Sequence, residues 1–161
     1  RAKLLCSLRH MVMISNLSEY SKLVQYLTSY TKKQLGLTMG VRNFIEIFDE
    51  QYYDNLKGGI LEAFGNIFKN NMKIYLYPLL DKENGGIINS NNLKLEDNMK
   101  EFYKYFKVNN KIRDLDYNED YLKILSKDIL KQIKKNEAGW EDKVPKAVSD
   151  MIIKNKMFGF K

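Results

Sequence analysis

The chain has 161 residues, 44% apolar and 29% charged, enough for one domain with a real core. Its single Cys excludes an internal disulfide, and it has no apolar run near the length of a membrane span. The net charge of +7 is spread along the chain, which reads as a solvated surface and argues against a nucleic-acid binder: +4 over residues 1–95 (12 Lys+Arg against 8 Asp+Glu) and +3 over residues 96–161 (15 against 12).

Arg1-Ala2-Lys3-Leu4-Leu5-Cys6 holds too short an apolar run for a secretory segment. It reads as an internal cut in a longer chain, starting inside a helix. With no export signal and one Cys, a reducing cytoplasmic compartment is expected. Residues 1–9 place Leu4, Leu5 and Leu8 at helical spacing. His10-Met11-Val12-Met13-Ile14 follows as a short buried strand. Ser15-Asn16-Leu17-Ser18 ends it and offers N-cap candidates for a helix over about 18–30. That helix carries a stripe of Tyr20, Leu23, Val24, Leu27 and Tyr30. Leu35–Gly40 is the second strand, so the first 40 residues read as a βαβ unit.

A short helix over 43–50 is buried through Phe44, Ile45, Ile47 and Phe48. The next, over 60–70, carries Ile60, Leu61, Phe64 and Phe68. Gly65 inside it is expected to pack closely on the sheet. Met72–Tyr77 is a strand by its β-branched and aromatic content and by the Pro78 stop. Asp81–Asn92, with Gly85, Gly86 and four Asn, reads as an exposed, mobile loop. Beyond it the pattern is helical: 96–107 with Met99, Phe102, Tyr103 and Phe106; 126–135 with Ile129, Leu130 and Ile133; and a last helix begun by Pro145, with Val148, Met151 and Ile152 inward. Asn109–Tyr117 is a connection with room for a short edge strand. The expected fold is α/β: a parallel sheet of at least three strands with flanking helices (residues 1–80), then a helical half (93–161), in one domain or the C-terminal part of a longer chain. Val12–Ile14, Leu37–Met39 and Lys73–Leu76 are the expected neighbouring strands.

The crossover between the second and third strands carries the site expectation. Helices of such crossovers start at the edge where strands end, and ligands of open α/β sheets bind there. Asn16, Gly40, Arg42, Asn43, Tyr53, Gly58, Gly59 and Glu62 are expected to converge at that edge. Free helix N–H groups and the Arg42 guanidinium favour a small anionic ligand. Asp49, Glu50 and Glu62 work against an anion unless they bind a cation or point away. Asp49, Glu50 and Asp54 read either as acid–base or cation-binding groups, or as a solvated helix end over two packed tyrosines. With one His and one Cys, no zinc site is expected. Cys6 and His10 lack an orienting acid or oxyanion donors beside them. Lys127, Lys131, Lys134 and Lys135 read as the wet face of an amphipathic helix.

Several stretches carry a resemblance: Val12–Tyr20, Gly36–Val41, Ile47–Tyr53, Gly58–Gly65, Lys73–Pro78, Ser126–Asp128, Trp140-Glu141, Val144-Pro145 and Phe158–Phe160. Together they resemble the C-terminal third of a bacterial protein family commonly labelled nicotinate-nucleotide adenylyltransferase, and also labelled TonB-dependent receptor. The resemblance covers nearly the whole chain in order. It implies an α/β protein, a nucleotide-like ligand, nucleotidyltransfer in NAD metabolism, Mg2+ if the chemistry uses a nucleotide, and a missing N-terminal part as partner. The His-x-x-His-type phosphate motif of such enzymes is not in these residues, so no catalytic residue carries over. Two rival expectations stand beside this one: a non-catalytic interaction domain with a Tyr-rich partner surface, and a basic nucleic-acid binder.

Overall fold

The computed structural model describes residues 1–82 and 84–161. In chain order the elements are α1 (Ala2–Ser7), α2 (Tyr20–Tyr30), β1 (Gly36–Gly40), α3 (Val41–Glu46), α4 (Gly59–Ile67), β2 (Lys73–Tyr77), β3 (Leu79–Leu80), β4 (Ile87–Ile88), α5 (Lys100–Val108), β5 (Ile112–Asp114), α6 (Glu119–Leu122), α7 (Ser126–Lys135) and α8 (Lys146–Lys154). β1, β2 and β5 form a parallel sheet in that spatial order, flanked by helices, so the chain is an α/β protein. β3 and β4 form a separate antiparallel pair. Among the described residues no helix is long and apolar enough to cross a membrane.

Packing divides the chain into two compact units. A sheet unit spans residues 17–118. A helical unit joins residues 1–16 to residues 119–161. The charge divides unevenly between them. The helical unit has 13 Lys+Arg against 7 Asp+Glu, a net +6, and leaves +1 for the sheet unit (14 against 13).

In the sheet unit, β2 is the central strand. Ile74 and Leu76 are completely buried, while Lys73, Tyr75 and Tyr77 alternate with them at half-burial. The period of two therefore turns one face into the core. Gly40 pairs with Tyr77 and Leu76 with Asp114, which aligns the carboxyl ends of all three strands. Phe44, Phe48, Phe64 and Phe106 cover the buried face and pack ring to ring. Each side chain so buried contributes about 1.5–3 kcal/mol by removal from water. α2 lies along α4, burying Val24, and Gln25 bonds Asn66 across the pair.

Several expectations give way here. Val12–Ile14 is not a strand; Met11, Met13 and Ile14 are exposed, and the third strand of the parallel sheet is Ile112–Asp114. An apolar run of β-type residues does not by itself choose a partner. α3 ends at Glu46, and a separate 3-10 turn, Glu50–Tyr53, follows, capped by Asp49 Oδ1 accepting from the Gln51 N–H. Tyr30 and Leu61 are exposed at the ends of their expected stripes. Gly65 does not touch the sheet: a Cβ there would meet nothing within 4 Å. α5 begins at Lys100, after a 3-10 turn over Asp97–Met99. The segment expected to be a mobile loop contains β4, which pairs with β3 just before it, and the buried Ser90; Glu83 within it lies outside the described residues.

The helical unit has a small core. Leu4, Ile129, Ile133, Trp140 and Ile152 are buried together. Around them Ile124, Val144, Val148, Met151, Met157, Phe158 and Phe160 are only half-buried. α7 ends on Asn136 in the left-handed conformation, whose Oδ1 accepts from the Lys161 N–H, so the last residues fold back on this helix. Pro145 caps α8 as expected.

Candidate functional site

The carboxyl edge of the sheet is where a ligand is sought first. Gly40 ends β1 and starts α3, and space beside it is open. Arg42 and Asn43, on the first turn of α3, are exposed. Arg42 has no ion-pair partner among the described residues, although Glu46 lies one turn on along the same helix. Asn43 lines a cleft of about 270 Å³ with Glu46, Glu19, Tyr20, Tyr52 and Tyr53. The cleft is thus bounded by the start of α2, the length of α3 and the turn at Glu50–Tyr53.

The Tyr53 hydroxyl donates to the Ile47 carbonyl at 2.8 Å. Burial, then the negative charges of Asp49 and Glu19, push its phenol up to about 12. The ring is therefore a neutral wall at ordinary pH, and its shift registers a negative potential in the cleft. Glu19 is paired with Lys22 across one helical turn, which offsets part of that charge. Glu46 has no such partner among the described residues. A second hollow of about 440 Å³ shares Glu46 and adds Asp49, Glu50, Glu96 and Lys94. Between Arg42 and Lys57 the chain has four acids, Glu46, Asp49, Glu50 and Asp54, and no base.

The remaining candidate residues are not part of the lining of this cleft. Gly58 and Gly59 open α4, and Gly59 has φ +53. Glu62 is exposed and accepts from the Gly58 N–H at 3.0 Å through Oε2. Its carboxylate takes the place an anion would occupy at this helix start, satisfying one of the free donors. Asn16 is exposed and belongs to the helical unit. The structure therefore brings Asn43 and Tyr53 into one cleft and gathers Gly58, Gly59 and Glu62 at another point. Among the described residues no group of three His, Cys, Asp or Glu side chains is placed to hold a metal ion.

Glu19, Tyr20 and Glu46 were not among the residues expected to form a site. Their signal in the sequence is slight, because Glu19 and Tyr20 are more than twenty residues from Glu46 and only the fold brings them to one cleft. The carboxyl end of β5 holds a further polar cluster. Ser90 donates to Asp114 twice, from its N–H at 2.9 Å and from Oγ at 2.6 Å. The Tyr103 hydroxyl and the Lys107 ammonium both donate to the Ser90 carbonyl. Burial and the Asp114 charge push the Tyr103 phenol up to about 12, against the bond to Ser90. With Ser90 buried, this cluster ties residues 89–92 to α5 and β5.

Comparison with known protein families, with curated proteins and with solved structures gives no match to this chain.

Proposed function

We propose that the sheet unit is an interaction module whose acidic, tyrosine-lined cleft receives a basic side chain of a partner protein. The observation that carries this reading is the lining itself: Glu19 and Glu46 beside the rings of Tyr20, Tyr52 and Tyr53. Carboxylates attract a guanidinium or ammonium, and an aromatic face adds a cation–π term of about 0.5–2 kcal/mol. A volume of about 270 Å³ is just below the roughly 300–1,000 Å³ of pockets for drug-sized ligands, so it suits one side chain and not a dinucleotide. The exposed ring of Tyr52 extends the contact surface beyond the cleft. A cytoplasmic setting fits a chain whose single thiol, Cys6, is free and exposed.

A second reading, an anionic nucleotide-like ligand with Mg2+ and nucleotidyltransfer chemistry, is supported by Arg42 beside Gly40 at the end of β1. The neighbouring acids oppose it. One titration separates the two. Arg-containing peptides, nicotinate mononucleotide and ATP with Mg2+ are offered to wild type, Glu46→Gln and Arg42→Ala. The interaction reading expects peptide binding that weakens about tenfold in Glu46→Gln and with added salt. The nucleotide reading expects affinity for the mononucleotide or ATP that falls about ten- to a hundredfold in Arg42→Ala. Peptide binding indifferent to Glu46 would refute the first reading.

A further inference from the structure

The helical unit carries a groove that the reading above does not use. It is about 290 Å³ in volume, and its apolar lining includes Ile129 and Ile133 of α7, Ile152 of α8, Val144 and Phe158. Two basic residues, Arg1 and Lys143, line it as well. The Lys143 ammonium reaches only Gln132 Oε1, at 3.3 Å, and has no acidic partner among the described residues. Phe158 is held at φ +58, a conformation that a bulky residue rarely adopts. Backbone held in such a state collects at ligand sites.

Two further observations give the groove a chemistry. The unit around it is strongly basic, net +6. Arg1 and Lys143, the two cations of its lining, have no ion-pair partner among the described residues. Trp140 is fully buried in the same cluster as Ile129, Ile133 and Ile152. We infer that this groove binds an amphiphilic anion: an unbranched aliphatic chain along the isoleucine wall, with its carboxylate at Lys143 and Arg1. The volume equals about ten liquid waters at roughly 30 Å³ each, and about twice an apolar cavity that holds benzene. A carboxylate of about eight to ten heavy atoms fills it. A cationic amphiphile meets the unit's net positive charge, and a bare anion gains nothing from the apolar wall.

The chain supplies its own reporter, since Trp140 is its one tryptophan. Tryptophan emission and the single indole N–H proton resonance are followed while hexanoate, octanoate and decanoate are added to the full chain. Octanol and octylamine serve as head-group controls. The expected result is saturable binding that tightens about fourfold per added CH2 until the groove is full. Octanoate should bind about tenfold more tightly than octanol, and that preference should fall in Lys143→Met and vanish when Arg1→Met is added, both at exposed positions. Three results would overturn the inference. One is a response flat with chain length. Another is equal response to acid, alcohol and amine, or response only where the additive forms micelles. The third is no response from a chain that sediments as a dimer, which would assign the groove to a second copy.

Discussion

Phe64 is the ring on which the core of the sheet unit turns. It is 1% exposed, and its ring centroid lies 4.9 Å from Phe48, 5.0 Å from Phe102, 5.2 Å from Phe106 and 6.0 Å from Phe68. Truncation to Ala removes the transfer energy of the ring and leaves a cavity, together about 3–5 kcal/mol. Four aromatic neighbours are rigid and refill the space poorly, so the cost should sit at the upper end, about 4–5 kcal/mol. Domains of this size are stable by only about 5–15 kcal/mol. Phe64→Ala should therefore be close to unfolding, with a melting temperature lowered by about 16–40 °C at 4–8 °C per kcal/mol. Phe64→Leu keeps most of the volume and should lose about 1–2 kcal/mol. Urea titration followed by circular dichroism measures both, with an unchanged slope required for the comparison. A loss below about 1 kcal/mol for Ala, or equal losses for Ala and Leu, would refute this picture of the core.

Two glycines of one helix should answer Ala with opposite signs. Gly59→Ala forces a side chain into φ +53 and should cost about 1 kcal/mol, whereas Gly65→Ala, in open space within the helix, should gain up to about 1 kcal/mol in thermal unfolding. Asp114→Ala strands both the N–H and the Oγ–H of buried Ser90 and should cost about 2–3 kcal/mol; Ser90→Ala removes only the hydroxyl bond and should cost less, an order that urea titration checks. In phenolate absorbance, Tyr53 and Tyr103 should titrate near pH 12, and each of Tyr53→Phe and Tyr103→Phe should remove one group titrating there. Because their folded values lie above the unfolded value of about 10, the stabilisation they supply is complete below pH 10 and is lost as pH climbs towards 12, where chemical denaturation should show the fall.

The strands β1 and β2 were legible because their runs are short, apolar and closed by Gly40 and Pro78. The third strand was legible only as a short edge strand within Asn109–Tyr117, while Val12–Ile14 was expected to take its place in the sheet. Ile112-Arg113-Asp114 shows one buried residue and two charges, the pattern of an edge, while Met11–Ile14 shows the stronger strand composition and stays unpaired. Pairing depends on which edge is free after α5 has packed, and composition does not encode that. The candidate site was legible in part for a similar reason. Asn43 and Tyr53 lie on the crossover, so topology pointed to them. Glu19 and Tyr20 reach the cleft from the preceding helix, and that approach depends on α2 lying along α4. Glu62 shows the limit of counting charges: it was weighed against an anion, but its immediate partner is the Gly58 N–H.

The helical unit is discontinuous, and that has a consequence for how the chain folds as it is made. α1 packs on α8, so the first helix waits for the last before its apolar side is covered. The sheet unit is contiguous and is finished once residue 118 is free. During synthesis domains generally fold as units, N-terminal first at about 5–20 residues per second. Here the sheet unit should close while the opening sixteen residues are still unprotected, for roughly the time needed to add the last forty-three. Leu4 is the side chain that gains cover when α8 arrives, whereas Leu5, Met11, Met13 and Ile14 stay exposed in the finished fold. Protease nicking within residues 1–16 should rise in a chain stopped after α7, where Leu4 stays uncovered.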